Sequence, residues 1–391
     1  MKETSHPGNQ FRFLLKTLLI FVFSICSLIL SAERVFIPER GYSLNPPAGW
    51  TMLDDSDPTT VSFTNPSHSA VFQVMIFPGD SFRAAAEMYQ QISAQLEAEG
   101  DQAPFVFSGR DSIFSNLSFS VDRYKVRGYL IFINDSATDF LLLSFSTLEK
   151  YEEMHDLLLS CLDSFSLDGP GELLPGPVSQ FYYPFPGRNP ESCNLTINGE
   201  TIRAEVDKME FEAAQVVIER EARILASYNR DKVSAWRRYF KVIYRDNYHR
   251  LDKIYSLILP PLISEGTESW AEELPMRILS WIQSFTYNRS GSLADLIAPI
   301  SAAYTASGDC DSRVLLYIIL LHHFDVDSIL LVSSRYSHSV AGLDIPGKGA
   351  RISFEGKDYL IAETTQSVDI GLIHRDMADA SGWIAIRLGD Y

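Results

Sequence analysis

Between residues 41 and 168, hydrophobic and polar positions form short runs rich in Val, Ile, Phe and Tyr, and Gly, Pro, Asn and Asp separate these runs. Runs of this length and composition predict β-strands. The predicted strands are Val61–Phe63, Val71–Phe77, Phe105–Phe107, Ser118–Arg127, Tyr129–Asn134 and Phe140–Phe145. Two segments, 81–99 and 148–165, instead place apolar residues three or four positions apart, which predicts helices that bury one side. Strands and one-sided helices that alternate in this way predict a domain in which helices pack on a sheet.

Gly and Pro crowd the segment 169–190, at a density that neither a helix interior nor a central strand tolerates. This segment is predicted to be a linker. A helical segment at 191–268 follows it. Its predicted elements are a strand pair around 195–202 and two long helices at 205–228 and 232–259. The last domain, 269–391, has the order helix, glycine-rich turn, helix and strands, so the chain as a whole is predicted to be an α+β protein.

The N-terminal segment has the layout of a secretory signal peptide. Its apolar run covers residues 18–30 and ends before Ala32, a small residue at the expected cleavage position. Three cations precede the run, namely Lys2, Arg12 and Lys16. The run is short for a membrane-spanning helix of about 20 residues. Residues 1–32 are therefore predicted to be a signal peptide, with an uncleaved anchor or a lipoprotein modified at Cys26 as alternatives; each exports the rest of the chain to the periplasm or beyond the cell.

The net charge of the chain restricts the partners that it can bind. The chain has 50 acidic and 33 basic side chains, for a formal net charge of -17, which argues against nucleic acid as a partner because phosphate binding needs clustered Lys and Arg. Association with a membrane is expected only through the N-terminal segment.

The four cysteines are Cys26, Cys161, Cys193 and Cys310. Three remain once a signal peptide is removed, and an odd number leaves at least one thiol unpaired within the chain.

Cys310 is the cysteine with a distinctive context. It lies in Gly308-Asp309-Cys310-Asp311-Ser312, directly ahead of the apolar helix predicted at 314–322. A thiol in the first turn of a helix is close to free backbone N–H groups and to the positive end of the helix dipole, and both lower its pKa. Asp309 and Asp311 act against ionisation, but they are also suitable capping residues for this helix.

His338 and Glu363 are the predicted partners of Cys310. His338 opens a strand that follows the run 328–332, and Glu363 closes the strand that begins at Tyr359. If these strands are neighbours in one antiparallel sheet, His338 and Glu363 can lie side by side, with the helix of Cys310 packed across the sheet. The three residues would then be a nucleophile, a base, and a carboxylate that orients the imidazole.

These pieces resemble the transglutaminase-like superfamily, which has a papain-like core. The resemblance rests on Gly-Asp-Cys-Asp around Cys310, Ser-His-Ser-Val around His338 and Tyr-Leu-Ile-Ala-Glu-Thr-Thr around Glu363, where the family usually has Asp. It implies acyl transfer or hydrolysis at a carboxamide or peptide bond, a protein or peptide substrate and no cofactor. Residues 41–168, with the opening Gly-Tyr-Ser-Leu-Asn-Pro-Pro-Ala-Gly-Trp, resemble the PsbP-like family. This resemblance implies an α/β sandwich, and members of that family mostly bind partners.

Other residues near the motif are candidates for substrate contacts. Gln283 is a candidate oxyanion donor beside the backbone N–H of Cys310. Trp281, Tyr287 and Tyr304 are candidate walls of a substrate groove, although such residues are commonly core. No metal is predicted, because neither a His-Glu-x-x-His motif nor a paired Cys-x-x-Cys occurs. The alternative to an enzyme is an inactive binding or scaffold protein of the cell envelope that uses the same folds.

Overall fold

The computed structural model describes residues 35–37, 40–53, 57–167, 173–197, 199–228, 232–263 and 270–389. The predicted signal peptide, 1–32, lies outside these ranges. The described chain divides into two compact units. The first contains the described residues up to 167 with 176–184 and 232–238, and the second contains 173–175, 185–228 and 239–389. No helix in the described ranges is long and apolar enough to cross a membrane.

The first unit is built on a seven-stranded antiparallel sheet of order β3-β4-β5-β9-β8-β7-β6. Its strands are β1 (Val35–Ile37), β2 (Tyr42–Leu44), β3 (Thr51–Met52), β4 (Thr60–Thr64), β5 (Ala70–Pro78), β6 (Glu99–Phe107), β7 (Arg110–Val121), β8 (Tyr124–Asn134), β9 (Thr138–Thr147) and β10 (Ser166–Leu167). Its helices are α1 (Ala85–Leu96), α2 (Tyr151–Asp163) and α3 (Pro177–Tyr182). The short strands β1, β2 and β10 form a separate sheet in the order β1-β2-β10.

Both faces of the seven-stranded sheet are apolar because a helix covers each one. Along β8, Leu130 and Phe132 belong to the core that contains residues of α1, whereas Ile131 and Ile133 belong to the core that contains residues of α2. Successive side chains of a strand point to opposite faces, so a strand buried on both sides is apolar at every position. The first unit is thus a sheet between two helical layers.

The predicted strand Ser118–Arg127 is two strands. β7 ends at Val121 and β8 starts at Tyr124, and these two residues pair across the turn. Asp122 in the turn has φ 51°, a left-handed conformation that Asp adopts more readily than most residues. A two-residue hairpin loop needs no glycine or proline, so the apolar composition on both sides concealed it.

The predicted linker contains a helix. α3 lies inside 169–190, starts at Pro177 and belongs to the first unit. Its Ser179 N–H donates to Asp163 at 2.9 Å, and the ring of Phe181 stacks on Phe114 at 4.5 Å. Proline suits the first position of a helix, where no internal acceptor for its N–H is needed. Gly and Pro therefore mark breaks at both ends of α3 rather than one continuous linker.

The second unit combines helices with a five-stranded antiparallel sheet of order β17-β18-β16-β15-β19. Its strands are β11 (Glu191–Ile197), β12 (Glu200–Val206), β13 (Thr286–Tyr287), β14 (Ser307–Gly308), β15 (Ser328–Ser333), β16 (His338–Leu343), β17 (Arg351–Phe354), β18 (Lys357–Ala362) and β19 (Ile384–Ile386). Its helices are α4 (Lys208–Ser227), most of α5 (Lys232–Tyr248), α6 (Asp252–Ile263), α7 (Trp270–Gln283), α8 (Pro299–Thr305) and α9 (Cys310–His323). The predicted α+β class is confirmed at this level.

The predicted boundary at residue 268 does not separate compact units. The indole N–H of Trp281 on α7 donates to the Thr196 carbonyl of β11 at 2.8 Å, which joins the helical segment to the last domain. The long helical pattern at 232–259 is divided into α5 and α6 by a 3-10 turn at His249–Leu251. α9, apolar on nearly all sides, is buried along most of its length and packs on β15 and β16.

Candidate active site

The five-stranded sheet brings His338 and Glu363 together. β16 begins at His338 and lies between β15 and β18, with Ser333 opposite His338 and Ala362 opposite Ala341. Glu363 directly follows β18. The Nε2 atom of His338 and the Oε2 atom of Glu363 are 2.7 Å apart. The strands β15, β16 and β18 are thus neighbours in one antiparallel sheet, as predicted.

The second carboxylate oxygen of Glu363 is also bonded. Oε1 accepts hydrogen bonds from the backbone N–H of Thr365 at 2.7 Å and from its hydroxyl at 2.6 Å. Burial raises the pKa of Glu363, but the bonds from His338 and Thr365 together with the charge of His338 outweigh it, so the pKa lies below its ordinary value. Glu363 is therefore a carboxylate with a fixed orientation.

The start of α9 fixes the position of Cys310. Asp309 is the N-cap, and its Oδ1 accepts from the backbone N–H of Ser312 at 2.8 Å and from the Ser312 hydroxyl at 2.6 Å. Gly308 packs so closely on Ser312 that an added Cβ would lie 2.8 Å from the serine Cβ. Cys310 thus lies in the first turn of the helix, as predicted from its sequence context. Its side chain is 8% exposed.

Cys310 and Glu363 both act on the imidazole of His338. Burial lowers the pKa of His338, but hydrogen bonds with Cys310 and Glu363 and the charges of these groups raise the pKa to about 10. Since Glu363 is bonded to Nε2, Nδ1 is the ring nitrogen left to exchange a proton with the thiol. The structure therefore joins His338 to Glu363 by a hydrogen bond and places Cys310 close enough to act on the same imidazole.

Asp311 is a fourth ionisable residue at this position. The Cys310 Sγ donates to its Oδ1 over 3.8 Å. Burial and repulsion from Asp309 raise the pKa of Asp311 to about 6, although the Ser339 hydroxyl, His338 and Cys310 act in the opposite direction. The contact with Ser339 is looser than a hydrogen bond of normal geometry. From sequence, Asp311 was interpreted as a group that opposes ionisation of Cys310 and as a candidate capping residue, whereas the structure gives the N-cap to Asp309.

Arg313 was not identified from sequence. It is 1% exposed and donates from Nε to the Gly308 carbonyl at 2.9 Å, and from Nη2 to the Phe285 carbonyl at 2.7 Å. A longer bond of 3.4 Å reaches the carbonyl of Thr364, directly after Glu363. A single cation at the start of an apolar helix was the available signal, because such a charge must find partners inside the protein. Arg313 ties the loop before Cys310 to the end of the strand that carries Glu363.

Gln283 has a different role in the structure from the predicted one of an oxyanion donor. Its side-chain nitrogen donates to the carbonyls of Glu363 at 2.8 Å and Val368 at 2.9 Å. Both amide hydrogens are used in these bonds, so they do not point to an oxyanion beside Cys310. Gln283 instead fastens the end of β18 to the loop that follows it.

The three predicted groove residues lie in different surroundings. Trp281 is 2% exposed and is part of the core, with its N–H bonded to β11 as described above. The ring of Tyr304 packs at a tilt against Phe211 with ring centroids 5.3 Å apart, and burial raises the pKa of Tyr304 well above the ordinary value. Tyr287 is 51% exposed and pairs with Gly308, two residues before Cys310. Tyr287 is therefore the predicted groove residue whose exposed ring lies beside the nucleophile loop.

Within the described ranges, no group of three or more His, Cys, Asp or Glu side chains is arranged to hold a metal ion.

Comparisons with known proteins give structural matches of low similarity. No family model matches the sequence, and no curated protein matches it. The cyanobacterial PsbP protein CyanoP from Synechocystis sp. PCC 6803 matches over 37% of this chain and 98% of its own, with 13% identity and a TM-score of 0.30. LpqN, involved in cell envelope biogenesis of Mycobacterium tuberculosis, matches over 35% and 91%, with 12% identity and a TM-score of 0.24. A Bacteroides thetaiotaomicron protein matches over 57% and 80%, with 11% identity and a TM-score of 0.27.

Proposed function

We propose that this chain is an exported cysteine-nucleophile enzyme of the transglutaminase-like type, acting on a carboxamide or peptide carbonyl. The observation that carries the proposal is the position of His338, which is bonded through Nε2 to a buried carboxylate and whose imidazole also interacts with the Cys310 thiol. A nucleophile, a base and an orienting acid in one chain of hydrogen bonds are what acyl transfer through a thioester needs.

The reaction begins with transfer of the Cys310 proton to Nδ1 of His338. The thiolate attacks the carbonyl carbon, and the backbone N–H groups at the start of α9 stabilise the oxyanion. His338 then returns its proton to the departing amine, which leaves a thioester on Cys310. Water or a second amine, deprotonated by His338, attacks the thioester and releases the thiol. Glu363 keeps the imidazole oriented and stabilises its charged form throughout, without taking the proton.

The exposed ring of Tyr287 supports a substrate site beside Cys310. The guanidinium carbon of Arg313 lies 5.7 Å from the centre of this ring on the protein side, and that of Arg289 lies 5.9 Å away. An exposed, laterally supported aromatic ring offers a flat surface on which a peptide can pack. We therefore propose a protein or peptide substrate that crosses Tyr287 to reach the thiol.

The first unit is proposed to be a PsbP-like docking module. The sheet between two helical layers and the Pro-Pro-Ala-Gly-Trp turn that precedes β3 support this assignment. The N-terminal pattern of cations and apolar residues supports export. In this arrangement the first unit binds a partner and the second unit acts on it.

Selective alkylation tests the proposal. The mature protein is treated with a limiting amount of iodoacetamide at about pH 6, where an ordinary thiol with a pKa near 8.5 is almost fully protonated. Peptide mass spectrometry then compares Cys310 with Cys161 and Cys193 in the same chain. We expect Cys310 to be modified at least about tenfold faster than a free thiol, and His338→Ala to remove the difference.

The two outcomes separate the enzyme from its alternative. Alkylation of Cys310 no faster than that of glutathione would overturn the proposed function and would favour an inactive binding protein. Cys161 is fully buried in the first unit and serves as the internal control for reagent access after unfolding.

A further inference from the structure

A cluster of polar and aromatic side chains lies on the face of the seven-stranded sheet that α2 covers. Asn116 on β7 and Tyr129 on β8 are direct partners across the two strands. Arg127 is two positions before Tyr129 and therefore points to the same face. We call these three residues, together with Tyr151 at the start of α2 and Tyr182 at the end of α3, the tyrosine–arginine cluster. All five belong to the first unit.

One chain of hydrogen bonds joins the inner members of the tyrosine–arginine cluster. Arg127 Nε donates to Asn116 Oδ1 at 3.1 Å, and the Asn116 side-chain nitrogen donates to the Tyr151 hydroxyl at 3.0 Å. The Tyr151 hydroxyl donates in turn to the Tyr129 hydroxyl at 2.7 Å. The chain therefore runs in one direction, from Arg127 to Tyr129, and holds both side chains in place.

The hydroxyl proton of Tyr129 has no acceptor among the residues that the structure describes. Tyr129 is 5% exposed, and burial and the bond with Tyr151 raise the pKa of Tyr129 above its ordinary value, so the proton stays on the phenol at neutral pH. A buried donor without an acceptor is unfavourable. A ligand oxygen that accepts from Tyr129 would remove this penalty.

Arg127 is a second source of unused donors. Its terminal amino groups have no acceptor, and the guanidinium has no carboxylate partner, within the described ranges. The residue is half-buried, and its guanidinium carbon lies 4.7 Å from the centre of the Tyr151 ring. A chain with a formal net charge of -17 thus leaves this cation without a neutralising acid. A guanidinium group can bind a carboxylate or a phosphate through two parallel hydrogen bonds.

Aromatic rings border these donors. Phe114 stacks on Tyr129 with ring centroids 5.6 Å apart and meets the ring of Tyr182 at a steep angle at 6.2 Å. Tyr182 is 55% exposed. The imidazole of His155 on α2 contacts Tyr129 edge-on at 5.7 Å, and its side chain is 44% exposed. A ligand in solution therefore has ring surface to pack on next to the unused donors.

We propose that the tyrosine–arginine cluster binds the anionic group of a small ligand, a carboxylate or a phosphate attached to a flat ring. The terminal amino groups of Arg127 and the hydroxyl of Tyr129 donate to oxygens of the anion, and the exposed ring of Tyr182 packs on the ring of the ligand. Asn116 and Tyr151 are positioning residues, because they hold the two donors in place. The inference goes beyond the proposed reaction and does not depend on the thiol.

Binding of benzoate and of phenyl phosphate to the mature protein tests the inference, with benzamide as an uncharged probe that carries the same ring. Saturation-transfer NMR measures the dissociation constants. We expect at least one anion to bind saturably with a Kd on the order of 1 mM, and benzamide to bind at least about tenfold more weakly. The tighter of the two anions identifies the anionic group.

Matched variants assign the binding to the tyrosine–arginine cluster. Arg127→Gln should raise the Kd of the anion at least about tenfold, because the charge and the paired hydrogen bonds are lost. Arg123→Gln should leave the Kd unchanged, since Arg123 is exposed on the same hairpin and also lies over a tyrosine ring, at 5.1 Å. Tyr182→Ala should raise the Kd severalfold, whereas Tyr124→Ala, at another exposed tyrosine, should not. Far-ultraviolet circular dichroism verifies the fold of each variant.

The inference is overturned if neither anion binds saturably, if benzamide binds as tightly as the anions, or if Arg127→Gln keeps the wild-type Kd. Should Arg127→Gln fail to fold, Tyr182→Ala decides in its place, because it removes an exposed ring and leaves the buried bonds intact; a wild-type Kd in that variant overturns the inference. Each of these results leaves the proposed function standing, because that function is tested by the alkylation of Cys310.

Discussion

His338 and Glu363 are joined by a 2.7 Å contact although 25 residues separate them in the chain. The contact depends on β16 lying directly beside β18, so that the residue that opens one strand is near the residue that follows the other. Thr365 holds the opposite oxygen of the carboxylate. The imidazole is therefore oriented by the sheet and by the turn after β18 together.

Removing the charge of Glu363 should weaken the base. In Glu363→Gln the imidazolium loses its neighbouring anion, so the pKa of His338 should fall from about 10 toward its ordinary value, and the imidazole should accept the thiol proton less readily. We expect the alkylation rate of Cys310 at about pH 6 to fall by about tenfold or more, toward that of a free thiol. Asp376→Asn, an exposed carboxylate near His374, is the matched control and should leave the rate unchanged. An unchanged rate in Glu363→Gln would contradict the assigned role.

Shortening the carboxylate separates charge from geometry. Glu363→Asp keeps the carboxylate but shortens the side chain by one methylene at a position, directly after β18, whose backbone is placed for Glu. The charge is retained and the 2.7 Å contact lengthens, so the alkylation rate should lie between those of the wild type and Glu363→Gln. A rate equal to that of Glu363→Gln would show that distance alone decides the effect.

The same pair gives the stability of the protein a defined pH dependence. The pKa of His338 is raised on folding from 6.5 to about 10, so the folded state binds this proton more tightly than the unfolded state. The resulting stabilisation is complete below about pH 6.5 and is lost as the pH rises toward about 10. The difference in the free energy of unfolding between wild type and Glu363→Gln should therefore shrink over this range in urea titrations. A difference in the free energy of unfolding that grows with pH would contradict the raised pKa of His338.

Much of the second unit follows from local pattern. The run 328–332 and the segments that start at His338 and Tyr359 are buried and rich in β-formers, and each is a strand in the structure. β19 has only three residues, which is too few for an alternation of apolar and polar positions to distinguish a strand from a loop. Helix α9 was predictable from its apolar run, although its start at Cys310 depends on the Asp309 cap.

Side chains whose partners are distant in sequence were the least predictable part of the site. Gln283 bonds to carbonyls 80 and 85 residues away, and nothing near it in the sequence indicates them. Arg313 likewise bonds to carbonyls in two other segments. The role of Cys310 could be predicted because it depends on the local sequence at the start of a helix. The roles of Gln283 and Arg313 could not, because they depend on how distant segments pack.

Arg313 should be necessary for stability. Arg313→Met leaves the carbonyls of Gly308 and Phe285 buried without their donors, which should cost about 3 kcal/mol or more in the free energy of unfolding. Chemical denaturation measures the change. Arg289→Lys is the matched control, because Arg289 is exposed and pairs with Asp295 at the surface, and it should leave the stability unchanged. A loss no larger than that of the control would show that the buried carbonyls find other donors.

Gln283 should behave as a structural tie. Gln283→Leu removes both donors to the carbonyls of Glu363 and Val368, which should lower the free energy of unfolding by about 1–3 kcal/mol. Gln366→Leu, an exposed site in the following loop, is the control. If Gln283 were instead an oxyanion donor, stability would be unchanged and only turnover would fall, an outcome that would restore the interpretation made from sequence.

The pairing of His338 with Glu363 and Cys310 is the central claim, and the protonation state of His338 reports on it most directly. Nitrogen NMR of the histidine-labelled mature protein gives this state as a function of pH. A charged imidazole that persists well above pH 6.5 in the wild type, and a lower pKa of His338 in Cys310→Ser, is the predicted result. A ring that titrates near 6.5 in both proteins would contradict the account.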